Sequence, residues 1–222
     1  MLVTACGSCR ESLMRHGLTD LNGNTLPHND IVQLLADRLP LIEELPGEDA
    51  ERIIYHSSCH PAWSGVKATK DAGKVARALE RLTGSSILLN PGCCGESGAG
   101  AYTCPSIYNT LRERKRGKLQ AALAGYESDS PILVSCPSCK IGIARTLMTM
   151  DAANPARGKG QEVEQKQGEQ PVIDTHRPVL HNSEWLARKL LGKNWLNDLK
   201  AAGARDAKGD PAVRVVVMKK PD

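Results

Sequence analysis

Five cysteines between Cys59 and Cys139 limit what this chain can fold into more than any other feature. Cys59, the adjacent pair Cys93-Cys94 with Gly95 behind it, and Cys136-Pro137-Ser138-Cys139 follow the spacing C-x33-C-C-G-x40-C-x2-C. Each group closes an apolar run: Ile53-Ile54-Tyr55 precedes Cys59, Ile87-Leu88-Leu89 precedes the pair, and Ile132-Leu133-Val134 precedes the C-x-x-C. The chain reads as soluble and cytoplasmic. Met1-Leu2-Val3-Thr4-Ala5 is too short for a signal segment and has no basic flank, and no apolar run approaches the ~20 residues that cross a bilayer. In a reducing compartment eight cysteines point to metal binding or redox chemistry, not to a disulfide framework.

The pattern has a chemical reading. Thiolates are soft ligands for zinc and for iron–sulfur clusters. A C-x-x-C brings two sulfurs to one side of a tight turn, and a helix starting at its second Cys stabilises both thiolates. Neighbouring side chains of an extended Cys-Cys pair point apart, so they suit two metal atoms of a cluster better than one ion. Gly92 and Gly95 let the backbone come close, and Gly98 and Gly100 extend that loop as a flexible one. Five thiolates exceed the four that tetrahedral zinc takes, which favours iron and sulfide. A zinc-stabilised structural or docking module using four of the five stays open, as does a thiol–disulfide enzyme working through Cys6 and Cys9. Cys104 is expected to pack as a free thiol, His60 and His181 to cap helices or support ligands, and Trp63, Trp185 and Trp195 to anchor the core or an interface.

The rest of the chain reads as an α/β layer structure. Aromatic residues make up 3% of the chain and Phe is absent, so the core must come from Leu, Ile, Val and Ala. Strands are expected over Leu2–Ala5, Arg52–His56, Ser86–Leu89 and Pro131–Ser135. Helices are expected over Arg10–His16, over Ile31–Leu39 behind an Asp30 cap, over Thr69–Leu82 up to Gly84, over Ser106–Ala124, and from the C-x-x-C to Thr149. Alternating strand and helix implies crossovers and a parallel sheet, with all three cysteine groups at strand carboxyl ends, where such sheets place their sites. The net charge of +4 is spread out. The densest basic run, Arg112 to Lys118, reads as a solvated helix face with no partner residues for nucleic acid.

Residues 151–170 are rich in Lys, Glu, Gln and Gly and read as a disordered insertion. Order resumes at Val179-Leu180, with a helix over Glu184–Leu191 capped by Ser183 and ended by Gly192, a short helix with Trp195 and Leu199, and a last strand over Val213–Met218. The two ends of the chain resemble each other. Val3-Thr4-Ala5-Cys6-Gly7-Ser8-Cys9 parallels Leu133-Val134-Ser135-Cys136-Pro137-Ser138-Cys139, and His28-Asn29-Asp30 parallels His181-Asn182-Ser183. This suggests a duplicated unit: residues 1–50 the truncated remnant of a first copy, with Cys6 and Cys9 a partial second site, 51–200 a complete copy, and 201–222 a tail. A shortened first copy, from a fragment or a split gene, is expected to need a partner chain.

His56-Ser57-Ser58-Cys59-His60, Asn90-Pro91-Gly92-Cys93-Cys94-Gly95 and Ser135-Cys136-Pro137-Ser138-Cys139 resemble the cysteine-rich CCG domain. That domain occurs in tandem in one of the subunits of heterodisulfide reductase, in iron–sulfur subunits of glycolate, lactate and glycerol-3-phosphate oxidising enzymes, and at the C-terminus of FAD-linked oxidases, which His181 to Leu199 resembles most. The gap between the cysteine pair and the C-x-x-C is longer here than is usual in the family. The resemblance implies a 4Fe-4S cluster on Cys59, Cys93, Cys94, Cys136 and Cys139, noncubane and acting on a disulfide in the heterodisulfide reductase branch. In the oxidase branch it implies an oxidoreductase component passing electrons from a reduced flavin. This sequence contains no flavin-binding segment, so FAD is expected on a flavin-containing partner subunit or on a missing N-terminal portion.

Overall fold

The computed structural model describes residues 2–39, 51–59, 68–96, 99–124, 126, 130–152 and 177–198. Expectations for His60, Trp63, residues 153–170, Leu199 and Val213–Met218 lie outside them. In chain order the elements are β1 (Leu2–Thr4), α1 (Gly7–His16), β2 (His28–Asp30), α2 (Ile31–Arg38), β3 (Arg52–His56), α3 (Ala68–Thr83), β4 (Ser86–Leu89), α4 (Ala99–Thr103), α5 (Pro105–Leu123), β5 (Ile132–Val134), α6 (Pro137–Ala152), β6 (Val179–His181) and α7 (Asn182–Leu191). The chain divides into two compact units, Met1–Ser183 and Glu184–Asp222. In the second, Arg188 pairs with Glu184 at 2.9 Å and the Lys189 ammonium lies 5.8 Å from the Trp185 ring centre.

The first unit is α/β, as its alternating pattern implies. Its main sheet has the order β4-β3-β5-β6, and every pairing is parallel. The central strand β3 is buried from Ile53 through His56, as a parallel strand covered on both faces must be. From β3 the chain crosses to β4 on one side, then returns to β5 on the other side of β3 and continues outward to β6. The strand order therefore reverses between β3 and β5, and sheets of this kind place their sites outside the carboxyl ends at that point. His56 pairs with Val134 there, and Val134 pairs with His181.

The helices cover this sheet through apolar stripes. Ala72, Val75, Ala76, Leu79 and Leu82 of α3 are buried, the three-and-four spacing of an amphipathic helix. On α6, Cys139, Ile143 and Leu147 follow one another every four residues. They join Ile54, Ile132, Val134, Leu119, Leu123, Cys94 and Cys136 in one cluster. Three of the thiols thus sit in the hydrophobic core.

Several expectations shift. A short helix, α4, occupies part of the segment read as a flexible glycine loop. α1 and α6 start between the two cysteines of their motifs, and α6 opens on Pro137, a residue pre-set for the first helical position. α7 starts at Asn182, so Ser183 lies within its first turn. His181 takes the capping role, with the Ser183 N–H donating to His181 Nδ1 at 3.3 Å. Asp30 caps α2 in the same way through the Val32 N–H at 2.8 Å. The run β1-α1-β2-α2 and the run β5-α6-β6-α7 share their order, and in each the two strands pair in parallel. The register pairs Thr4 with Asp30 and Val134 with His181. Asp30 is therefore the counterpart of His181, and the His-Asn similarity is offset by two residues, one strand period that keeps each side chain on its face.

Ile143 is fully buried and Ile141 half-exposed on the same helix. Ile143→Ala is expected to cost about 2–5 kcal/mol, and Ile141→Ala within about 0.5 kcal/mol, read from urea midpoints of the full chain.

Candidate metal centre

The three parallel strand ends bring the five cysteines together. Cys59 lies three residues past β3, Cys93 and Cys94 lie in the loop after β4, Cys136 immediately precedes α6, and Cys139 sits in its first turn. The Cys59 side chain meets Cys93. Cys94 meets Cys139, Cys139 meets Cys136, and Cys136 meets a sixth thiol, Cys6, at a sulfur–sulfur distance of 4.0 Å. The run has a closed and an open end. Cys94, Cys136 and Cys139 are at most 5% exposed, Cys93 is half-buried, and Cys59 is exposed. Cys6 therefore adjoins this site, while Cys9 is exposed. Cys104, expected to pack, is exposed just ahead of α5.

Close backbone contacts set the position of the cysteine pair. Gly95 has φ +73°, and a Cβ there would meet the Arg112 backbone nitrogen of α5 at 2.9 Å. Arg112 Nε donates to Gly95 O at 3.1 Å, and the Gly95 N–H donates to Cys93 Sγ at 3.4 Å. On the other side, a Cβ on Gly142 of α6 would lie 2.8 Å from Glu96 Cβ and 3.1 Å from Cys94 Cβ. Arg145 of the same helix pairs with Glu96 at 2.6 Å. The loop is pinned between α5 and α6.

The thiols cannot all ionise so close together. The Cys139 thiol, hydrogen-bonded to Cys94, and then His56 bring Cys94 down to about 5. Contact with Cys139 and then Cys6 also lowers Cys136. Cys139, placed against both Cys136 and Cys94, is raised by these two contacts and then by burial. Cys6 is raised by its contact with Cys136 and by burial, and Cys59 reaches about 11, through burial first and then the charges of Cys93 and Cys94. From Cys94 inward, lowered and raised groups alternate through Cys139, Cys136 and Cys6, and metal binding would release the remaining protons.

Two functional residues escaped sequence reasoning. His56, the last residue of β3, is fully buried, and neither ring nitrogen makes a hydrogen bond of normal geometry. Its ligand atom and those of Cys94 and Cys139 all lie within 4.8 Å of one another. Burial holds it below the usual imidazole range, against the pull of the Cys94 thiolate, so it is neutral and able to coordinate. Its signal in the sequence was its place directly after the apolar run Ile53-Ile54-Tyr55. The other is Lys115, 1% exposed, which corrects the reading of Arg112 to Lys118 as a wholly solvated face. Its Nζ donates to Asn90 O at 2.9 Å and to Asn90 Oδ1. Burial lowers it to about 7, while the charges of Cys94, Cys139 and Cys93 pull it upward. Lys115, Leu119 and Leu123 share the buried face of α5, a spacing of four that the run of basic letters hides.

These features define a class: a parallel α/β domain with a thiol-rich site able to hold metal at its strand ends. Residues 53–144 match the family model of the CCG cysteine-rich domain. No curated protein matches the chain, and no solved structure does. Among the described residues no helix is long and apolar enough to cross a membrane.

Gly142→Ala should push the Cys94 loop out of place, lowering both the melting temperature and metal uptake per chain. Gly117→Ala, with nothing within 4 Å, should leave uptake unchanged and raise stability by up to about 1 kcal/mol. Thermal unfolding with metal analysis of both variants checks this.

Proposed function

We propose that this chain is the iron–sulfur electron-transfer unit of a cytoplasmic oxidoreductase, holding a 4Fe-4S cluster on Cys59, Cys93, Cys94, Cys136 and Cys139. One observation carries the reading: five thiols from three strand ends meet in a single run whose inner end is buried in the core. Five sulfurs suit a cluster better than a single tetrahedral ion. Buried His56 beside that run leaves both ring nitrogens without a normal hydrogen bond, so the pocket fits an occupant that interacts with them.

When bound, such a cluster takes up one electron and passes it on. The chain's own residues prepare that role. Ile54, Leu119, Ile132 and Ile143 exclude water from the inner thiols. The Lys115 ammonium offsets part of the thiolate charge from behind the loop. Exposed Cys59 marks the edge through which electrons reach a partner. The natural partner is a flavin-containing subunit or portion that carries the FAD.

A zinc-stabilised docking module remains the second reading, because His56, Cys94 and Cys139 alone form a compact three-donor set for one ion.

Cys93→Ser and Cys94→Ser are each expected to abolish iron and sulfide uptake and visible absorbance, while Cys104→Ser keeps both. Either of the first two retaining full iron and colour would sink the assignment. Lys115→Met should leave iron content unchanged and move the cluster potential to a more negative value, because a buried positive charge that favours the reduced form is gone. Anaerobic redox titration followed by EPR reads it.

A further inference from the structure

We infer that Cys6 is a sixth thiol donor of the metal centre, supplied from outside the CCG segment by the β1-α1 unit. The inference rests on the site holding metal, as proposed above, and adds a ligand the five-cysteine motif does not contain.

Geometry carries it. Cys6 Sγ lies 4.0 Å from Cys136 Sγ. Two thiolates on one tetrahedral metal, with bonds of about 2.3 Å, sit ~3.8 Å apart. The two sulfurs are thus spaced to share one metal atom, with little movement of either chain segment. The placement is also matched on the two sides. Each cysteine is the first of its C-x-x-C, sits past a parallel strand and directly precedes a helix of ten or more residues. Two helix N-termini therefore favour negative charge at the same point. Cys6 packs against the core cluster that contains Cys94, Cys136 and Cys139, whereas Cys9 is exposed.

Imidazoles lie on both sides of the thiol run. His56, with no exposed surface, leaves both ring nitrogens without a normal hydrogen bond beside Cys94 and Cys139. His181 has its Nδ1 occupied by Ser183, and its ring meets the backbone of Ala5 and Ser135, the residues just before Cys6 and Cys136, so it ties the two cysteine segments together. The fully buried imidazole of His56, without a normal hydrogen bond, marks a space built around a bound group. The offset in the His-Asn similarity makes sense here, since it places His181, not a second aspartate, at that junction.

The test uses the full chain, loaded anaerobically with ferrous iron and sulfide, beside the chelator-stripped protein. Both are pulsed with iodoacetamide, and each cysteine is read by peptide mass. In the loaded form Cys6 should label about tenfold more slowly or less, like a metal-bound thiolate whose lone pair is engaged. Cys9 and Cys104 should label alike in both forms. Cys6→Ser should alter the EPR spectrum of the loaded protein, and Cys9→Ser should not. If the Cys6→Ser chain fails to fold, the labelling of the wild-type chain decides. Equal labelling of Cys6 in both forms overturns the inference, as does shielding of Cys6 together with an unchanged spectrum in a folded Cys6→Ser variant. Uptake of iron and sulfide with Cys6 still reactive overturns this inference alone. A chain that takes up neither overturns it together with the function proposed above.

Discussion

The pairing of β3 with β4 on one side and β5 on the other is the constraint from which the site follows. Each strand is short, yet each ends next to a cysteine group, and parallel pairing forces those ends to one edge. Antiparallel pairing at either junction would send one thiol group to the far edge. The chain reverses its direction of travel around β3, the place where such sheets put their sites, and His56 lies there at the last pair of β3 with β5.

Around that edge the structure keeps polar groups where an apolar core would be more stable. His56 and Lys115 are as buried as Ile54 or Ile132, and a buried ammonium is costly unless something nearby balances it. Asn90 supplies two acceptors, and the thiolates supply opposite charge. The arrangement is coherent as the lining of an anionic thiolate site and wasteful as packing alone. The tight approach of Gly95 to α5 and of Gly142 to the Cys94 loop has the same sense: backbone is brought close so that sulfurs can converge.

Much of this was legible in the sequence. The apolar runs before each cysteine group announced the strands, the alternation of strand and helix announced the parallel sheet, and Asp30 announced its helix. What stayed hidden was set by tertiary contacts. Lys115 looks like one letter in a basic run, and only the depth of α5 in the core turns it inward. His56 follows Tyr55 without any local sign that both its nitrogens will be sealed from water. Cys6 pairs in space with Cys136 across 130 residues, and motif similarity suggested a separate partial site because spacing within a motif carries no information about where a second copy docks. α4 lay in a segment whose glycines pointed to a loop, since a single helical turn leaves almost no periodicity to read.

The central claim is that the converging thiols hold an iron–sulfur cluster. Anaerobic purification of the full chain with iron, acid-labile sulfide and zinc assays, followed by EPR of the reduced protein, tests it most directly. About four irons and four sulfides per chain are expected, with a cluster signal on reduction. A colourless protein carrying one zinc and no sulfide would contradict it and leave His56, Cys94 and Cys139 as the core of a structural ion site.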